Sequence, residues 1–118
     1  MLTLRDSLKV FIKLAPVDMR KSINGLTALV ADELTESPQS GHVFVFYNKA
    51  RDKVKLVYWD RNGFALHYKR LDKGRFKMKN VDGVDECEVS EQQLNWLLAG
   101  LDFDLMGQFN ELKYDKYY

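Results

Sequence analysis

The run Lys53-Val54-Lys55-Leu56-Val57-Tyr58-Trp59-Asp60-Arg61-Asn62-Gly63-Phe64-Ala65-Leu66-His67-Tyr68-Lys69-Arg70-Leu71 decides how this chain folds. Two segments rich in β-branched and aromatic residues flank Asn62-Gly63, a pair that tolerates positive φ and closes a tight hairpin. A second turn signal, Asp72-Lys73-Gly74, leads into a further strand-like run from Arg75 to Lys79, and an apolar run from Val43 to Tyr47 comes before. The spacing predicts an antiparallel meander, because consecutive strands joined by short turns pair with their neighbours.

Outward from this meander, Leu8 to Leu14 alternates as a half-buried strand that Pro16 ends. Asp18 then reads as the cap of a helix running to about Leu34, with Ile23, Leu26, Leu29, Val30 and Leu34 on one face. Gly25 inside that helix costs roughly 1 kcal/mol relative to alanine, which implies a close approach by another group. After a short run at Cys87 to Val89, Ser90 begins a second helix carrying Leu94, Leu97, Leu98 and Leu101, with Gly100 near its end. The expected fold is α+β: an antiparallel meander sheet of about five strands with two amphipathic helices packed on one face. Residues 1–102 form one compact domain in this reading, and 103–118 an acidic, aromatic tail.

The hairpin register sorts the side chains. A two-residue loop at Asn62-Gly63 and a four-residue loop have the same parity, so Lys53, Lys55, Val57 and Trp59 share a face with Leu66, Tyr68 and Arg70. Arg75, Lys77 and Lys79 join them if the next loop also holds two residues. Val54, Leu56, Tyr58, Leu71, Phe76 and Met78 take the opposite face, the floor expected for both helices. His67 and Lys69 fall on that apolar side and fit only near an edge or by snorkelling.

Charge is segregated along the chain although the formal net charge is only +1. Residues 42–80 carry eleven Lys/Arg against three Asp/Glu, a net of +8, whereas 81–118 carry nine acids against two lysines, a net of −7. Cations interleaved with Trp59 and Tyr68 are the pattern of a polyanion-binding surface, since cations neutralise phosphates and rings stack on bases. The alternative is a solvated face whose lysines block edge-to-edge aggregation. Arg20 and Lys21 form a second candidate, beside the N–H groups that open the first helix; there the alternative is that Asp18 already occupies those groups.

Other chemistry has less support. Cys87 is alone, so neither an intrachain disulfide nor a cysteine zinc site is expected. His42 and His67 lack a nucleophile in a recognisable motif, and no glycine-rich phosphate loop occurs. Asp18, Asp60 and Asp72 could serve a metal-dependent nuclease, but all three occupy cap or turn positions where Asp ordinarily bonds its own backbone. Neither a signal peptide nor a membrane span is expected, and the reading is a cytoplasmic protein without cofactor or metal.

With these residues in view, the chain resembles the small accessory protein, the TnpB or Orf2 product, of the insertion-sequence-66 family of bacterial transposable elements. The matching blocks are Asp18-Met19-Arg20-Lys21 with Asn24-Gly25-Leu26, Gly41 to Phe46, Lys53 to Asp60 with Gly63, and Tyr68-Lys69-Arg70-Leu71 with Gly74-Arg75-Phe76. The last is Gln93-Leu94 through Leu97-Leu98 and Gly100-Leu101-Asp102. The similarity runs from about residue 8 to 102, and the tail departs from it. It implies a role in transposition beside a separate transposase and a second accessory protein, and it brings no catalytic residue. The expected function is non-enzymatic assistance of transposition through DNA contact at Arg20, Lys21, Lys53, Lys55, Trp59, Tyr68, Arg70, Arg75, Lys77 and Lys79. The rival is an adaptor for the transposase or the second accessory protein, using the leucine helix and the tail.

Overall fold

A computed structural model describes residues 8–77 and 84–101. Its elements are β1 (Val10–Lys13), α1 (Ile23–Glu33), β2 (Val43–Tyr47), β3 (Lys53–Asp60), β4 (Gly63–Arg70), β5 (Glu86–Val89) and α2 (Glu91–Leu98). The five strands form one sheet in the order β4-β3-β2-β1-β5. Lys79, Met78 and the tail 103–118 lie outside the described residues.

Two expectations about architecture are corrected. The sheet is mixed, because β1 runs parallel to β2 while every other pair is antiparallel. A parallel pair needs a crossover, and α1 supplies it as the helix of a β1-α1-β2 unit. The helices also lie on opposite faces. Leu26, Val30 and Leu34 pack with Phe11, Phe44, Phe46 and Val57, whereas Leu94, Leu97 and Leu98 pack with Val10, Ile12, Val43, Val45 and Leu56. Successive residues of β1 and β2 thus enter different cores. The physical reason is the uninterrupted apolar run Val43-Phe44-Val45-Phe46-Tyr47, buried at every position; a strand apolar on both sides requires two covering layers.

The meander is also shorter than expected. Of the expected run from Arg75 to Lys79, the described residues Arg75 to Lys77 add no strand to the sheet, and the fifth strand is β5, on the far edge beside β1. Phe76 N–H instead donates to the Arg51 carbonyl, and its ring fills the α2-side core. The β3–β4 turn sits at Arg61-Asn62, with Arg61 at φ 58°, one step before the expected pair. Parity is preserved, so the predicted face assignment holds. The observed register sets Lys55 opposite Tyr68 and Trp59 opposite Phe64, a cation over a ring and an aromatic pair, and moves the like-charge pairing with Arg70 from Lys55 to Lys53.

The ends of α2 and the sheet edge account for several further residues. Ser90 and Gln93 form a reciprocal capping box at α2, as the sequence predicts. At its other end Gly100, at φ 85°, and Leu101 donate back to Leu97 and Trp96, the glycine-dependent C-terminal closure. Lys69, on the edge strand, reaches across to donate its ammonium to the Leu98 carbonyl. His67 stacks with Tyr58, ring centroids 5.7 Å apart. His67 and Lys69 are exposed on the edge strand, which resolves their apparent misfit.

Candidate nucleic-acid interface

Two loops meet at the end of the sheet where β3 begins. The first joins β2 to β3. Its organiser is Asn48, whose side-chain carbonyl accepts the N–H groups of Asp52 (3.1 Å) and Lys53 (3.0 Å), while its amide donates to the Asp52 carboxylate at 2.7 Å. That amide bond is the leading reason the Asp52 carboxyl is held below its ordinary pKa. The turn carries exposed Lys49 and presents Lys53, half-buried, with its ammonium 3.4 Å from Asp52.

The second loop connects β1 to α1. Val17 N–H donates to the Tyr47 carbonyl at 2.8 Å and fixes its start. Asp18 does not cap α1, which corrects the sequence expectation: the helix begins at Ile23 after Ser22, whose side chain makes no capping bond. Asp18 closes a local turn instead, accepting Arg20 N–H at 2.9 Å and pairing with the guanidinium at 2.8 Å. The guanidinium bond holds the Asp18 carboxyl at about 2, against an ordinary value of 3.8. Arg20 is still 92% exposed. The Lys21 stem lies against Gly25, where a Cβ would stand 3.2 Å from Lys21 Cβ; this is the close approach that the helical glycine implied.

Lys55 joins the two loops. Its ammonium donates to the carbonyls of Met19 and Lys21, both at 2.8 Å, and lies 5.4 Å from the centroid of the Tyr68 ring. Tyr68 is 53% exposed. Between the loops opens a cleft of about 790 Å³, walled by Pro16 to Arg20 and by Asn48 to Ala50, with Lys53 and Tyr68 on its floor. Apolar groups line part of it and cations rim it.

The predicted residues therefore divide. Arg20, Lys53, Lys55 and Tyr68 come together here, with Arg70 directly opposite Lys53 and Lys21 at the α1 entrance. Arg75 and Lys77 are exposed on the segment that folds back onto the Arg51 turn, at the same end of the sheet. Trp59 stands apart. It is half-buried, packs edge-on against Phe64 at 5.0 Å, and lies four residues along the strand from Lys55, about 13 Å away. Val57 and Leu66, which separate it from the cleft, belong to the α1-side core. Sequence reasoning missed Lys49 and the apolar wall Pro16-Val17-Met19; the signal for Lys49 was the Asn48-to-Asp52 turn, whose Asn and Asp mark a side-chain-organised loop. The leucines of α2 are core rather than a docking stripe. Among the described residues, no group of three His, Cys, Asp or Glu side chains could hold a metal, and no helix is long and apolar enough to cross a membrane.

The family described as IS66 Orf2 like protein matches residues 8–108. Two proteins of Sinorhizobium fredii (strain NBRC 101917 / NGR234) are similar along most of their length. The uncharacterized protein y4jC is 38% identical over 97 residues, 81% of either chain. The uncharacterized protein y4hO is 33% identical over 103 residues, 87% of this chain and 89% of its own. No solved structure matches the chain.

Proposed function

The chain belongs to the IS66 Orf2-like family, and on that premise we propose that it is a non-enzymatic accessory factor for transposition that contacts DNA through the cleft beside β3. The observation that carries the proposal is the convergence of Arg20, Lys49 and Lys53 around an exposed tyrosine in one concavity. Cations on two loops and a strand can meet successive phosphates, and their repulsion becomes attraction when a polyanion binds. In this reading the protein works beside the element's transposase and a second accessory protein, and the DNA contact is its own.

A gel shift on the element's terminal repeats against random duplex, run with and without the transposase, tests the proposal. The expected result is retardation by the protein alone, abolished by Lys49→Glu with Lys53→Glu. Retardation only when the transposase is present would favour the adaptor reading instead.

A further inference from the structure

We infer that the cleft takes an unpaired nucleotide strand, with one base stacked on Tyr68, rather than the backbone of an intact duplex. The inference rests on the DNA-contacting reading of this cleft and specifies the form of nucleic acid it receives.

Three features support it. The first is place: the cations border a wide, open concavity with Tyr68 on its floor, where an unpaired base can lie flat against the ring, whereas a base stacked inside a duplex has no free face to offer it. The second is the wall. Pro16, Val17, Met19 and Ala50 offer apolar surface, which suits the faces and edges of a base or a sugar and gives nothing to a phosphate.

The third is the state of the Tyr68 ring. Lys55 places its ammonium 5.4 Å from the ring centroid, and that ammonium is itself fixed by two carbonyls of the opposing loop. The ring is thereby held in place, with 53% of the residue still exposed. A ring pre-positioned in this way stacks on a base with little further loss of rotamer freedom. Arg20, Lys49 and Lys53 then flank the stacked base where the neighbouring phosphates must run.

The test is fluorescence anisotropy with a labelled oligothymidylate and a duplex of equal length, both at one salt concentration, for the wild-type chain, Tyr68→Ala, Tyr68→Trp and Lys49→Gln with Lys53→Gln. Thermal melting confirms that each variant folds, as expected for positions outside the core. The expected outcome is tighter binding of the single strand, a roughly 5- to 150-fold loss of that affinity in Tyr68→Ala, recovery in Tyr68→Trp, and duplex binding unchanged by either. The lysine pair should weaken both ligands. If Tyr68→Ala weakens neither ligand, or both equally, while the lysine pair weakens both, the stacking inference is overturned and DNA contact by the cleft stands. If the wild-type chain binds neither ligand, the functional proposal itself fails.

Discussion

Lys53 and Lys55 point from the same face of one strand, yet their ammonium groups have different roles. Lys53 faces the cleft, whereas Lys55 is consumed by the carbonyls of Met19 and Lys21. Lys55→Met keeps the stem and loses two charge-assisted hydrogen bonds, so chemical denaturation should show a loss of about 2 kcal/mol. Lys53→Met should leave stability within about 0.5 kcal/mol, as expected for a surface position. An unchanged denaturation midpoint in Lys55→Met would show that the latch is dispensable. Arg20 makes a related point through Asp18, whose carboxyl sits at about 2 because of the guanidinium. That value lies below the ordinary 3.8, so the pair favours the folded loop above pH 3.8 and stops doing so as the pH falls through 2. In Arg20→Ala the Asp18 carboxyl should titrate close to its ordinary value by carbon-detected NMR; a titration still near 2 would assign the shift to the backbone turn.

At the scale of elements, the edge strand β4 faces α1 with Leu66 and Phe64 and reaches α2 with Lys69. Lys69 closes the C-terminal end of α2, where carbonyls lack helical partners and a cation is favoured. Lys69→Ala should therefore cost about 1 kcal/mol of stability and leave DNA affinity unchanged. Weakened DNA binding at constant stability would move Lys69 into the interface. Much of this level was legible beforehand. Ser90 with Gln93 announced α2, Asn62-Gly63 located the hairpin to within a residue, and strand parity put Lys53, Lys55, Tyr68 and Arg70 on one face. What was not legible turned in one case on a choice between local partners and in the other on a distant strand. Asp18 has the chemistry of either a helix cap or a turn, and only the neighbouring Arg20 guanidinium decides between them. Val43 to Tyr47 is buried on both sides, but the parallel neighbour that makes it so lies more than thirty residues earlier, beyond the reach of local pattern.

At the scale of the molecule, the described part of the basic segment and the acids Asp85, Glu86 and Glu88 lie toward opposite edges of the sheet, because β4 and β5 are those edges. The basic residues gather at the β3–β4 end. The acidic β5 edge is partly neutralised from within: Lys13, 5% exposed, bridges Asp85 at 2.7 Å and Glu33 at 3.2 Å. Burial disfavours the Lys13 charge, but the two carboxylates outweigh it and raise its pKa above the ordinary value. The pair ties the end of α1 to the strand opposite the cleft. Under the proposed function, this separation of charge would favour approach of a polyanion to the basic end although the net charge is only +1. Composition and pI alone conceal this, since they sum over both edges. If Arg20, Lys49 and Lys53 meet phosphates in the cleft, the salt dependence of single-strand affinity shows it most directly. Three phosphate contacts predict a slope of log affinity on log salt of about −2.1, and Lys49→Gln with Lys53→Gln should make it shallower by about 1.4. A slope that is the same in the double variant as in the wild-type chain would contradict the claim and leave the basic end of the sheet as a solvated surface.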